Sequence, residues 1–465
     1  MITQQQEEGA APDLLRGRPI LRVLLGSAEE LASARATIKF AYTGEVQADS
    51  IREALGVLRQ AAHLQVEGCA AACLERIKTL LPQAQDAAGH APVVPPVLEL
   101  YACERLWPEA VEEPRFASVL EAAKPLLVSH FGDTLAALNR PVLREQLLTL
   151  PAVALEALLE SDDFGTDTED SVMLLLATWM RENRGRTDSA ARERLCRLVR
   201  LVQLSRQYAT FVLPLLAADF ASSCKVNNPG WFSTSCANAA LISAYVAAAS
   251  RYERAEMLED IADVSKQSPW FSTRARRRCI PEAGLDFRWS LDKEKLREVL
   301  DKLQPDGEVF VPCPVDTASG HIMARGFRFT PELCCARGED SSIYLSCQLP
   351  EAYLLPGSHL LDVKHGPVVD ISARLFINRW RGGVQGTPNV RFAEDDLMHL
   401  GGQRRGMDIS LRELAASDGP LAAWFEYLRH GRITGKLTLL QAVASWDEGE
   451  EAGDGRSERS DEGDE

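Results

Sequence analysis

The chain is 465 residues long, with 46% hydrophobic and 25% charged residues and a formal net charge of -16. That length exceeds what one hydrophobic core holds, so roughly two to four domains are expected, and no apolar run reaches the ~18 residues of a membrane span. The start, MITQQQEEGAAPDLL, lacks the basic-then-apolar pattern of a secretory signal, and the acidic balance, with no basic stripe interleaved with aromatics, argues against nucleic acid as a partner.

In chain order, residues 1–19 are polar and read as disordered. Residues 20–82 read as a small strand followed by two amphipathic helices. Ile38, Phe40 and Tyr42 alternate as a strand that turns at Thr43-Gly44. Asp49 or Ser50 then caps a helix carrying Ile51, Leu55 and Leu58 on one stripe, and Leu64 lies near its end. A second helix carries Cys69, Cys73, Ile77 and Leu80. Residues 83–96 have the Ala, Gly and Pro character of a linker.

Residues 97–265 read as helices throughout, an all-α array of short antiparallel pieces. They are expected over 97–107, 116–131 and 143–150, the last stopped by Leu150-Pro151, and then over 153–159. Another starts at Glu169 and Asp170, where acids suit the helix dipole, and runs its apolar face through Val172, Leu175, Leu176 and Trp179. The helix ARERLCRLVRLVQL turns Leu195, Leu198, Val199 and Val202 inward and Arg192, Arg194, Arg197 and Arg200 outward or sideways.

The character changes over residues 283–445 to short alternating runs separated by Gly- and Pro-containing turns, which predicts an antiparallel β-sandwich. Candidate strands are 308–311, 327–329, 343–347, 368–380, 389–392 and 432–443. Trp424 and its neighbours Phe425 and Leu428 are expected to pack against that sandwich or to share in a partner-binding face. Residues 446–465 form an acidic disordered tail: positions 447–465 hold ten acids and two arginines, half of the chain's charge imbalance.

Several features invite over-reading. Asp162, Asp163, Asp167, Glu169 and Asp170 lack EF-hand spacing, and Glu169 and Trp179 are explained by a helix start and a core position. Cys313, His321, Cys334, Cys335 and Cys347 show no Cys-x2-Cys knuckle, so no metal is expected. The basic cluster RARRRC at 274–279 reads as a solvated linker segment within 266–282, with nuclear import or an acidic partner as the other reading. HLGGQRRGMD lacks the Lys-Ser/Thr ending of a phosphate loop. No catalytic set and no cofactor is indicated. Eleven cysteines, an odd total, suit free thiols in a reducing compartment, the cytoplasm or nucleus.

Three stretches carry a resemblance. Residues 23–77, with Phe40-Ala41-Tyr42-Thr43-Gly44, the helix ending Ala61-Ala62-His63-Leu64-Gln65-Val66, and the Cys69 to Cys73 helix, resemble the C-terminal half of a BTB/POZ domain. Residues 122–131, LLTLPAVALEALLESDDF, TEDSVMLLLATWM and RERLCRLVRLVQLS resemble a BACK domain, on the spacing of Leu150-Pro151, Leu158-Leu159, Ser161-Asp162, Glu169 and Trp179. The strand-rich part is similar to the TRAF-like region that follows BTB and BACK in some plant-type proteins.

The resemblance implies an α+β multidomain chain: a partial BTB-like α/β unit, a BACK-like helical array and a TRAF-like β domain. It implies a non-catalytic adaptor that homodimerises, contacts cullin-3 of a RING ubiquitin ligase and recruits a protein substrate. Only 39 residues precede Phe40, so the BTB-like part is expected to be N-terminally incomplete. The alternative is a protein-binding scaffold that no longer engages cullin. Phe40, Tyr42, Gly44, Leu64, Leu150, Asp162, Glu169, Trp179 and Trp424 are the candidate signature or contact residues.

Overall fold

The computed structural model describes residues 14–15, 18–19, 23–82, 94–223, 230–259, 268–304, 307–336, 340–353, 368–381, 384–400, 408–413, 421 and 424–441. The expected N-terminal disordered segment, except for 14–15 and 18–19, most of the 83–96 linker, and the acidic tail lie outside them. The chain divides into two compact units. Unit 1 is Met1–Cys279 with Met323–Phe327 and Pro350–Asp362; unit 2 is Ile280–Ile322, Arg328–Leu349 and Val363–Glu465.

Unit 1 is helical. After a short hairpin of β1 (Leu14–Leu15) and β2 (Arg18–Pro19), α1 (Leu31–Thr43), α2 (Ile51–Leu64) and α3 (Cys69–Leu80) pack on one another. The expected strand through Ile38, Phe40 and Tyr42 is instead the second half of α1. The alternation misled because those three large residues are set among helix formers: Ala32, Ala34 and Ala36 favour a helix, and Ala34 and Thr37, one turn apart, are its buried face. Gly44 closes it with φ +71°, the left-handed conformation that glycine adopts freely. The capping reading of α2 holds: the Ser50 side chain accepts from the Glu53 N–H (3.2 Å), and the Glu53 carboxylate accepts from the Asp49 N–H (2.9 Å). At Gly56 the two helices approach so closely that a Cβ would stand 2.5 Å from the Ser33 hydroxyl.

The array continues through α4 (Pro96–Ala102), α5 (Phe116–Phe131), α6 (Thr134–Asn139), α7 (Pro141–Thr149), α8 (Ala152–Glu160), α9 (Glu169–Asn183), α10 (Ser189–Arg197), α11 (Leu213–Ser223), α12 (Cys236–Ala247) and α13 (Arg251–Glu259). Every residue of α9 from Glu169 to Met180 is buried, which marks it as the central helix rather than an amphipathic surface one. Around it lie α6 and α7. The basic helix is shorter than expected. It stops at Arg197, and the chain turns at Arg200 into a short 3-10 segment, so Arg200 is buried rather than outward.

Unit 2 is strand-rich. One five-stranded sheet has the order β11 (Asn389–His399), β8 (Val368–Ile377), β14 (Arg432–Leu439), β13 (Leu428–Arg429), with β3 (Leu285–Asp292) also paired to β14. The other runs β12 (Asp408–Glu413), β7 (Asp340–Gln348), β6 (Phe327–Ala336), β4 (Glu308–Pro312); the short β5 (Ile322–Ala324) pairs with β6, and its residues Met323 and Ala324, like Phe327, fall in unit 1. The pairings of β3, β8, β11, β13 and β14, and of β4, β6, β7 and β12, are antiparallel. The pair β9 (Trp380–Arg381) and β10 (Val384–Gln385) forms a small ribbon. The strand β3 and the helix after it, α14 (Lys293–Lys302), fall where no element was expected.

β14 is flanked on both sides, by β3 and β8, and Gly435 sits in its middle. A Cβ there would lie 2.1 Å from both the Phe376 carbonyl oxygen and the Trp289 ring. Gly435→Ala is therefore expected to destabilise unit 2 by about 1–3 kcal/mol or more, read as a lower denaturation midpoint in chemical unfolding. An unchanged midpoint would mean that the Trp289 ring does not cover this backbone.

Candidate partner-binding sites

The start of α9 gathers the charges of unit 1. Glu169 is its first residue, with a side chain only 2% exposed, and its Oε2 accepts from Arg276 Nε at 3.1 Å. Its Oε1 accepts from the Arg200 backbone N–H at 2.8 Å. The Arg276 side chain is fully buried. Its Nη1 donates to the carbonyls of Leu159 (2.6 Å) and Ser161 (3.0 Å) and its Nη2 to that of Leu198 (3.3 Å). Every nitrogen of the guanidinium is thus engaged, the condition under which a buried charge is tolerated.

Beside this pair, Asp162 holds the guanidinium of Arg200 and, through Oδ2, Arg274 Nε at 2.6 Å. Partial burial pushes the Asp162 carboxyl up, but Arg200, Arg274 and Arg276 together hold it below its ordinary range. The solvated reading of RARRRC is corrected at Arg276, which is buried, while Arg274, Arg277 and Arg278 are exposed. Residues 277–279 run beside 162–166, with Arg277 N–H to Asp162 O (2.9 Å), Thr166 N–H to Arg277 O (2.9 Å) and Cys279 N–H to Thr166 O (3.1 Å). The same stretch meets the turn before α6 through Thr134 N–H to Gly165 O (2.8 Å).

A second feature was not foreseen. Residues 323–327 belong to unit 1 and are held there by hydrogen bonds between their backbone and side chains of α6, α9 and the loop before α9. The Asn139 side chain accepts from the Met323 N–H and donates to the Met323 carbonyl, both at 2.8 Å. Asp167 Oδ2 accepts from the Arg325 N–H (2.7 Å), and the Ser171 hydroxyl from the Gly326 N–H (3.3 Å). Arg325 and Gly326 both have positive φ (48° and 76°), as in a type I′ turn. A Cβ at Gly326 would stand 2.4 Å from the Tyr208 ring. Tyr208 stacks edge-on to Phe327 and shares a hydrogen bond with the Tyr353 hydroxyl, and the ring contacts continue through Trp231 and Phe232 to Trp270. No pattern in the sequence ties positions 139, 167 and 171 to a turn more than 150 residues away.

The expected residues separate into two groups. Leu150, Asp162, Glu169 and Trp179 fall into two pairs: the Trp179 indole N–H, buried in the core, donates to the Leu150 carbonyl at 3.0 Å, while Asp162 and Glu169 meet at Arg200. They are framework, not surface. Phe40 is half-buried on α1, Gly44 caps that helix and Leu64 ends α2. Tyr42 is 88% exposed and shares one stripe of α1 with exposed Leu31 and Ile38. Trp424 is 2% exposed in unit 2 and its ring lies tilted against that of Tyr427, so it is a core residue, while neighbouring Phe425 faces solvent.

No group of three or more His, Cys, Asp or Glu among the described residues is placed to hold a metal. The thiols of Cys313 and Cys335 are buried, and burial pushes each up to about 12. No helix among the described residues is long and apolar enough to cross a membrane.

A helical array packed around a helix buried from Glu169 to Met180 has the form of an interaction module. Residues 129–213 match the family model described as BTB And C-terminal Kelch, BACK. The match runs from the end of α5 to the start of α11 and contains α9, so this part of the chain is a BACK-domain region. No curated protein matches the chain.

Arg276→Ala would leave the Glu169 carboxylate buried without its counter-charge, at a cost of about 3–5 kcal/mol. Arg274→Ala, at a guanidinium 76% exposed, changes little. Helical circular dichroism during urea unfolding compares the two, and equal midpoints would refute the burial of this pair.

Asp170 is completely buried and its Oδ1 accepts from the Ser205 N–H at 2.9 Å. Burial pushes its carboxyl up to about 7. The Ser205 hydrogen bonds act the other way, while Asp167 and Glu169 push it further up. A carboxyl raised on folding gives stability that is full below its unfolded value near 4 and is lost as pH rises through about 7. The melting temperature of Asp170→Asn relative to the unsubstituted protein is therefore expected to climb between pH 5 and pH 8. A difference that stays flat would place Asp170 in contact with water.

Proposed function

We propose that the chain is a non-catalytic protein-binding scaffold organised by its BACK-domain region. The observation that carries this is the coincidence of the family match with an array whose central helix is buried from Glu169 to Met180 and internally charge-paired. Such a frame presents side chains on a rigid surface. The strand-rich unit 2, read as a TRAF-like sandwich, is the second partner-binding element, and the cytoplasm or nucleus is the compartment.

A finer reading makes the chain an adaptor that brings substrates to a cullin-3 RING ubiquitin ligase. The BTB-like likeness of residues 23–77 supports it, together with the exposed apolar stripe of Leu31, Ile38 and Tyr42 on α1. Co-precipitation of the tagged full chain from cells, with light scattering on the purified protein, separates the two. The scaffold reading expects stable partner proteins without cullin-3. Stoichiometric cullin-3, lost in Tyr42→Glu and carried by a dimer, would replace it with the adaptor reading. Absence of any saturable protein partner would overturn both.

A further inference from the structure

Between α9 and α10 the chain reads Arg184-Gly185-Arg186-Thr187-Asp188-Ser189. Ser189 is the only serine or threonine in these 465 residues with an arginine both five and three residues before it. That spacing is the charge pattern by which basophilic serine kinases select a substrate, each guanidinium meeting carboxylates of the enzyme. Thr79, Ser118 and Thr187 share only the arginine three residues ahead, and the structure sets them apart. Thr79 Oγ1 donates to the Glu75 carbonyl at 2.8 Å, Ser118 Oγ to that of Arg115 at 2.7 Å and Thr187 Oγ1 to that of Asn183 at 2.9 Å. Thr79 and Ser118 also lie within α3 and α5, where the backbone groups are already paired along the helix.

Ser189 differs on each count. It is exposed, and its hydroxyl makes no hydrogen bond among the described residues. The two residues that lead to it, Thr187 and Asp188, are extended, at φ -110°, ψ 132° and φ -67°, ψ 162°. Arg186 is exposed, and its Nη2 donates to the Glu182 carbonyl at 3.4 Å, a long bond that a carboxylate replaces with a stronger one. Arg192, three residues beyond Ser189, donates from Nη1 to the carbonyl of half-buried Arg184 at 3.5 Å. Burial, and then Arg192, hold the Arg184 guanidinium below its ordinary range, while Asp219 acts the other way. Residues 184–192 carry three arginines and one aspartate, a net charge of +2.

We propose that Ser189 is a phosphorylation site for a basophilic serine kinase. The Ser189 oxygen attacks the γ-phosphorus of ATP. The Oγ–P bond forms as the bond from that phosphorus to the β–γ bridging oxygen breaks, the serine proton passes to the kinase's catalytic carboxylate, and ADP leaves. The new phosphate brings a charge of about -1.5 to -2, which balances the arginines around it. Ser189 is also the first residue of the nine-residue helix α10, where a negative charge is favoured, and Arg192 lies within reach along the same helix face. Asp188 and Glu193 oppose the phosphate but do not outnumber the arginines. Modification thus turns a basic stretch of surface neutral without breaking a contact of the Ser189 side chain. The site stands on this segment alone, whichever partner the scaffold holds.

The test incubates the folded full chain with ATP and purified protein kinase B, a kinase that requires this arginine spacing, and locates the phosphate by mass spectrometry of peptides. One phosphate per chain is expected, on Ser189. Ser189→Ala is expected to lose that incorporation, and Arg186→Gln to slow it at least about tenfold. Both substitutions sit at exposed positions, so each protein is expected to melt as the unsubstituted one does. Thr187→Val is expected to be phosphorylated at the normal rate. Undiminished incorporation in Ser189→Ala or an unchanged rate in Arg186→Gln overturns the site, as does phosphate found on Thr79, Ser118 or Thr187 instead. Incorporation that requires prior unfolding in urea overturns the claim that the folded surface presents Ser189. Partner capture in the co-precipitation is a separate readout, so failure of this site and failure of the scaffold reading remain distinct results.

Discussion

The ion pair of Arg276 and Glu169 is the constraint on which unit 1 is arranged. Removing a guanidinium and a carboxylate from water is costly, and their attraction alone does not recover that cost. Here three carbonyls and one backbone N–H complete the shell, and those groups come from the end of α8, the loop after it, and the chain beyond α10. The charge pair therefore fixes three segments against the first turn of α9. Arg200 and Asp162 extend the same arrangement outward, and the ladder of residues 277–279 with 162–166 brings Arg276 to its place.

The two units treat charge in different ways. Unit 1 encloses it: Glu169, Asp170, Arg200 and Arg276 are all buried and each has a named partner. That gives a stiff frame, while Tyr42 on the outer helix α1 faces solvent. Unit 2 displays charge on a sheet face, where Arg288 and Lys436 stand side by side.

Helix positions were legible where apolar spacing and capping agreed. α2, with Ser50 before Ile51, and α9, with Glu169 at its first turn and Trp179 in the core, stand where the sequence puts them. α1 was misread because Ile38, Phe40 and Tyr42 satisfy a period of two while their neighbours satisfy 3.6, and local pattern alone does not rank the two. Arg200 and Arg276 were assigned to solvent because arginine is seldom buried, and nothing nearby in sequence reveals the carboxylate that meets each one. β3 escaped notice since its outward residues Asp286, Arg288, Ser290 and Asp292 outweigh the three apolar ones between them. The Arg288–Lys436 juxtaposition depends on strand register, which is set by pairing across more than a hundred residues and has no local signature.

The hold of unit 1 on residues 323–327 and on Tyr353 bears on how the chain reaches its fold. Unit 1 is discontinuous in sequence, with its last pieces encoded within the stretch that also builds unit 2. As the polypeptide leaves the ribosome, the helices through residue 279 emerge with Asn139, Asp167, Ser171 and Tyr208 still lacking their partners. Those groups wait for at least 44 further residues before the turn at 323 arrives, and longer for Tyr353. During that interval the array is incomplete at the start of α9, where its charges converge, and it exposes a surface that the finished protein has closed.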